Sequence, residues 1–167
     1  MKGMAEASSP SSFDASLPRG AGLPWGQGSG EIQKLWFSLV RRPWSSLAIV
    51  PLTDGETSVE LANVLSEVGG IHRQRTIVTI DATRTELHRI SLVLKLVAEE
   101  IKLGERVLVA LPSLVSNVAG VPIAQAADAV LLCVELGQAD FATARRTIEL
   151  VGADRIIGSV TFRSAPR

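Results

Sequence analysis

The sequence predicts an α/β fold of three layers, a parallel sheet with helices on both faces. Three observations carry the prediction. Short runs of Val, Leu, Ile and Ala alternate with helical patterns along most of the chain, an order that right-handed crossovers turn into a parallel sheet. Those runs are continuously apolar, as strands buried on both faces are. The first of them, Leu47–Val50, passes through Pro51–Glu56 into a helix opening at Thr57. In α/β proteins such a strand–turn–helix corner is where phosphates dock, because free backbone N–H groups and the helix dipole point into the loop.

Residues 1–30 are rich in Ser, Gly, Pro and Ala without a hydrophobic period. They cannot bury enough apolar surface to offset ordering and read as a disordered tail, with Trp25 as an exposed aromatic. The domain is expected over 31–167. Glu31–Arg42 reads as a lead helix with Ile32, Leu35, Trp36 and Leu39 on one stripe, stopped by Pro43. Phe37 falls off that stripe and Trp44 comes just after the helix. Glu31, Lys34, Trp36, Phe37, Arg41 and Trp44 are therefore candidates for a protein-contact surface, since Trp and Arg are favoured interface anchors.

Thr57–Ser58–Val59–Glu60 has the form of a capping box with Thr57 as N-cap, and Gly69–Gly70 are expected to end that helix. Thr76–Ile80 is the second strand, closed by Asp81, which is expected to cap the next helix. Leu87, Ile90, Leu94, Val97 and Ile101 predict that helix; His88, Arg89, Lys95, Glu99 and Lys102 fall on its solvated face. Arg106–Leu111, Ala129–Val134 and Arg155–Val160 are the remaining strands. Short helices at Pro122–Ala126 and Asp140–Val151 lie between them.

Composition narrows the function. The chain has 167 residues, one domain's worth, and 46% hydrophobic content. Lys plus Arg and Asp plus Glu are each 17, against the basic excess of a nucleic-acid binder. No apolar run approaches the ~18–20 residues of a membrane span. Cys133 sits in an apolar strand as a core residue, and one cysteine allows no intrachain disulfide, which fits a reducing cytoplasm. His72, His88 and Cys133 make no zinc set. A Gly-x-Gly-x-x-Gly dinucleotide loop is absent, and Ser113 and Ser116 have no His/Asp partners that would make a hydrolase.

With the elements laid out, the chain resembles the cytoplasmic P-loop kinases of bacterial polysaccharide export, the bacterial tyrosine kinases related to ParA and MinD ATPases. The resemblance spans about residues 31–162. It rests on the order and spacing of the lead helix, Asp54–Gly55–Glu56–Thr57–Ser58, Ile80–Asp81–Ala82, Val107–Pro112, Ala127–Leu132 and Gly152–Gly158. It implies a P-loop NTPase-like sheet of five parallel strands in the order 2-3-1-4-5, with a shortened segment between the second and third strands.

The resemblance also implies what is missing. The family's Gly-Glu-Gly-Lys-Ser/Thr loop has lost its Gly-Lys pair: Gly55–Glu56 runs directly into Thr57–Ser58. The lost lysine neutralises phosphate charge, whereas the loop and first turn here carry Asp54, Glu56 and Glu60. Of the family's Asp-x-Asp pair only Asp81 stands, with Thr83 in the second place. Ala110 occupies the position of the magnesium-ordering Asp, and without such oxygen ligands Mg²⁺ has no anchor. The kinases phosphorylate a tyrosine cluster, and this chain has no Tyr.

The implied function is non-catalytic. No cofactor is expected, and the chain reads as a pseudokinase subunit or regulator of capsule or exopolysaccharide synthesis, cytoplasmic and held peripherally at the inner membrane through a partner. The implied partner is the membrane polysaccharide co-polymerase or another export or synthesis protein, with homo-oligomer formation through the lead helix. In the family that helix reads Glu-x-x-Arg-x-x-Arg; here Glu31, Lys34 and Phe37 keep the first position, approximate the second and replace the third. The alternatives are weak binding of ATP or ADP with Mg²⁺, its lysine supplied in trans, and a ParA/MinD-like positioning adaptor.

Overall fold

The protein is described from a computed structural model that covers residues 11–14 and 30–163. Its strands are β1 (Ser11–Asp14), β2 (Ser46–Pro51), β3 (Ile77–Asp81), β4 (Arg106–Ala110), β5 (Ala129–Glu135) and β6 (Ile156–Phe162). Its helices are α1 (Gly30–Leu39), α2 (Thr57–Arg73), α3 (Ile90–Lys102), α4 (Val121–Ala126) and α5 (Phe141–Val151). The strands form one parallel sheet in the order β1-β6-β5-β2-β4-β3. Counted from β2, the five strands predicted from the sequence take the predicted order, 2-3-1-4-5. A sixth strand extends the edge: Ser11–Asp14, within the segment read as a tail, runs alongside Gly158–Thr161 of β6. The other residues of that segment, Trp25 among them, lie outside the described residues, as do 164–167.

Alternation along each strand builds the three layers. Leu47, Ile49, Leu108, Ala110, Leu131 and Cys133 face one core, which α1 and α2 cover. Ala48, Val50, Val107, Val109, Val130 and Leu132 face the other, which α3, α4 and α5 cover. Both faces of β2, β4 and β5 are dry, which is why these strands read as unbroken apolar runs. Cys133 is enclosed, and burial pushes its thiol up to about 12.

The largest departures from the sequence reading lie on α2. The helix does not stop at Gly69–Gly70; it continues to Arg73 and ends on Gln74 in the left-handed conformation, φ 53°. Gly69 serves packing instead. A Cβ there would overlap Ile77 Cδ1 and lie 2.5 Å from Trp36 Cη2 and 2.7 Å from Cζ2, so the bare backbone makes the seat in which the indole and the end of Ile77 rest. The capping box does not form either. Glu56 takes the N-cap position without a side-chain cap bond, and Thr57 is already helical.

Smaller departures are also matters of local geometry. Asp81 does not cap a helix; its Oδ1 accepts from the Thr83 backbone N–H at 3.0 Å and from the Thr83 hydroxyl at 2.6 Å, a closed turn two residues long. Leu87, expected on the buried stripe of α3, sits in a 3₁₀ turn ahead of the helix and is 73% exposed, while Ile90, Leu94, Val97 and Ile101 pack on the core as predicted. Asp140 caps α5: its Oδ1 accepts from Thr143 N–H at 2.6 Å, and that bond holds its carboxyl below the ordinary carboxylate range.

The two adjacent glycines give a test. Gly69→Ala drives a methyl into Trp36 and should cost about 1–3 kcal/mol in denaturant titration, as overpacking does. Gly70→Ala meets nothing closer than Arg75 O at 3.6 Å and should instead stabilise by about 0.4–1 kcal/mol. Equal effects at the two positions would refute the packing role of Gly69.

Candidate functional site

The phosphate-loop corner lies at the carboxyl end of β2, where an α/β sheet presents ligands. Leu52 N–H still donates to Cys133 O at 3.0 Å, so the chain leaves the sheet only after Leu52. Side chains of the loop beyond it are tied to neighbouring elements. Thr53 hydroxyl donates to Glu135 Oε2 at 3.4 Å, and Asp54 Oδ2 accepts from Ser116 hydroxyl at 3.0 Å. Gly55 has φ +149° with only Thr57 Oγ1 within 4.0 Å of a would-be Cβ, so glycine is needed there for conformation and not for space.

Ser58 is the most informative residue of the corner. Fully buried, it turns its hydroxyl inward to donate to Leu111 O at 2.8 Å. That bond ties the first turn of α2 to the end of β4. The acidic residues occupy the opposite, outward side. Asp54 and Glu56 are exposed, and Glu60, one turn into the helix, has its carboxyl raised above the ordinary range by burial and then by the charge of Glu56. Residues 51–60 contain no Lys or Arg. The positive end of the α2 dipole is thus met by the chain's own carboxylates.

Asp81 and Ala110 complete the corner. They are register partners on β3 and β4, and Ala82 N–H donates to Ala110 O at 2.9 Å. Ala110 is 1% exposed with its methyl in the core. Thr83 occupies one Asp81 oxygen. Among the described residues no group of three or more His, Cys, Asp or Glu side chains is arranged to hold a metal ion. The donor set does not fit a magnesium nucleotide: one carboxylate, already in a turn, faces a methyl, and the loop offers acids where a triphosphate needs a cation.

The lead-helix candidates divide by burial. Trp36 is 0% exposed and Trp44 5%, so neither presents the contact surface read from the sequence. Trp36 Nε1 donates to His72 Nδ1 at 3.1 Å, Trp44 Nε1 donates to Leu39 O at 2.9 Å, and the two indoles meet edge to face at 6.1 Å. Tryptophans and arginines within one short segment look like interface anchors in sequence; Gly69 and His72, which enclose Trp36, give no local signal against that reading. Glu31 and Lys34 pair at 3.0 Å, Phe37 is 42% exposed with its ring against His72, and Arg41 is exposed. Among the described residues no helix is long and apolar enough to cross a membrane.

Solved structures share this architecture. The kinase domain of Escherichia coli tyrosine kinase ETK superposes with TM-score 0.67 at 12% identity, covering 82% of this chain and 76% of its own. The chimerical protein CapA2B2 gives TM-score 0.67 at 10% identity over 90% of this chain and 93% of its own. The BceF tyrosine kinase domain gives 0.58 at 12% identity over 81% and 77%. The likeness is one of fold. No family model matches the chain, and no curated protein does. The sheet thus has the predicted layering and the predicted order of its five strands, in a fold shared with these domains.

The raised carboxyl of Glu60 fixes a sign. A carboxyl whose folded value lies above its unfolded one favours the fold at low pH, and that contribution is lost as pH rises through the folded value. Glu60→Gln should therefore raise the denaturation midpoint at about pH 7, and its advantage should vanish near about pH 3, where the wild-type carboxyl is protonated in both states. A Glu60→Gln midpoint below wild type at neutral pH would contradict the account.

Proposed function

We propose that the chain is a degenerate member of the bacterial tyrosine kinase family that works without phosphoryl transfer, as a contact subunit or regulator in capsule or exopolysaccharide synthesis and export. The fold shared with the ETK and BceF tyrosine kinase domains supports the ancestry. One observation carries the loss of catalysis: at the corner where a P-loop would hold phosphate, Ser58 is turned inward to Leu111 O and Asp54, Glu56 and Glu60 surround the helix start. Phosphoryl transfer depends on positioning plus neutralisation of charge, and this loop supplies neither lysine nor metal ligand.

In this reading the chain acts through its surface. The exposed residues Lys34 and Phe37 of the lead helix, with Arg41 in the turn after it, are the part offered to a membrane polysaccharide co-polymerase, another export or synthesis protein, or a second copy. Phe37 stands where the family has an arginine, so the contact is apolar where the relatives' is ionic. The place of work is the cytoplasmic side of the inner membrane, reached through the partner.

Calorimetric titration of the full chain with Mg-ATP tests the proposal. The expected outcome is no saturable binding tighter than about 100 µM. Saturable binding below that concentration, abolished by Ser58→Ala or Gly55→Ala, would overturn it and indicate a residual nucleotide binder.

A further inference from the structure

At the opposite end of the sheet, where β2, β4, β5 and β6 begin, lies a groove of about 700 Å³. Trp44, Arg73, Glu105, Arg106, Asp128 and Arg155 line it. Arg73 ends α2, where the helix dipole favours a cation. Arg106 opens β4 with its guanidinium 4.5 Å above the Trp44 ring, and Arg155 precedes β6.

The hydrogen bonding in this groove is incomplete in a specific way. Among the described residues, buried atoms without a partner are Arg73 Nη1, Arg106 Nη1 and Glu105 Oε2, two donors and one acceptor. Buried polar groups are ordinarily satisfied, and each one left over needs an explanation. One oxygen of each groove carboxylate is committed to other groups. Glu105 Oε1 holds Arg75 through Nε at 3.1 Å and Nη2 at 2.9 Å. Asp128 Oδ2 accepts from the backbone N–H groups of Ser45 at 2.7 Å and Ser46 at 3.0 Å. Arg155 Nη1 is spent on Ala127 O at 2.9 Å. Arg106 is pushed below the usual guanidinium range by burial and then by the charge of Arg73. Two like charges thus stand together, half-buried, with donors aimed at no acceptor.

We propose that this groove is a binding site for a small phosphate ester that carries hydroxyl groups. The phosphate answers the Arg73 and Arg106 forks, whose geometry suits a multi-oxygen anion. A ligand hydroxyl answers Glu105 Oε2, which a bare fully ionised anion would only repel. The volume lies in the range of small-molecule sites. The site is separate from the phosphate-loop corner, so it stands whether or not that corner has lost nucleotide, and it goes beyond the contact role proposed above.

The test is a titration of the full chain with glucose 6-phosphate, inorganic phosphate and glucose, at ionic strength held constant with sodium chloride. Backbone amide NMR and calorimetry give the readout. Glucose 6-phosphate should saturate the groove, moving the amides of Ser45, Gly104 and Asp128, more tightly than inorganic phosphate, while glucose gives no response. Arg73→Gln and Arg106→Gln should each weaken binding about tenfold or more, the scale of a lost charge-assisted hydrogen bond. Arg106→Gln also removes the contact with Trp44; if that variant fails to fold, Arg73→Gln, which leaves the Arg106–Trp44 contact in place, decides alone. No saturable response to glucose 6-phosphate, unchanged affinity in Arg73→Gln, or inorganic phosphate binding as tightly as the ester would overturn the proposal.

Discussion

The seating of Trp36 on Gly69 governs one whole face of this protein. An indole buries 150–250 Å², and removing such a side chain from a core costs about 3–5 kcal/mol, a large share of a domain's net stability of about 5–15 kcal/mol. The contact works only because α2 presents backbone at that point. It binds α1 to α2, brings His72 to the indole nitrogen, and positions Trp44 edge-on against the same ring. Trp44 in turn carries Arg106. A single glycine in mid-helix thus connects the lead helix, the first core and the basic groove.

The corner after β2 is held together by the chain's own groups. Strand, turn and helix are held by bonds that need no ligand: Leu52 to Cys133, Asp54 to Ser116, Ser58 to Leu111. In a working P-loop the backbone donors and helix dipole are balanced by bound phosphate. Here Asp54 and Glu56 supply negative charge from within the chain, and Ser58 is internal. The corner is complete as a structural element without an anion, which is the physical content of the non-catalytic proposal.

How much of this was legible in the sequence depended on the range of the interaction. Strands β2, β4 and β5 declared themselves because burial on both faces leaves an apolar run, and the strand order came from the resemblance to P-loop kinases. The helix read over Asp140–Val151 is α5, with Asp140 one residue ahead of it as its N-cap. The largest misplacements involved partners distant in the chain. Gly69 looked like a helix stop because nothing nearby reveals that residue 36 needs the space, and Trp36 and Trp44 looked like anchors because their cover comes from 69, 72 and 106. Leu87 obeyed the helical period, yet the helix begins three residues later. At the candidate site the absence of Lys and Arg from residues 51–60 and the alanine at 110 were legible by position, whereas the inward turn of Ser58 and the Asp81–Thr83 turn were matters of conformation. The orphaned guanidinium atoms of Arg73 and Arg106 left no trace at all: they lie 33 positions apart and meet only because α2 and β4 end and begin at the same edge.

The corner after β2 and the groove at the other end of the sheet carry charge opposite to what this architecture usually displays at those places. Parallel α/β sheets receive anions at the carboxyl ends of their strands, where helix N-termini converge. In this chain the loop and first turn after β2 hold Asp54, Glu56 and Glu60 without a Lys or Arg, while Arg84 and Arg163 follow the ends of β3 and β6; the groove at the amino-terminal end holds Arg73, Arg106 and Arg155 against Glu105 and Asp128. Net charge conceals the division, since the basic and acidic totals are equal. The macrodipoles account for part of it: acids are stabilised at the start of α2 and a cation at its end. They do not account for Arg106, which belongs to a strand with almost no net dipole and lies half-buried beside another cation. That excess is the feature helix electrostatics alone cannot balance, and an anion seated between the two guanidiniums would supply the missing charge.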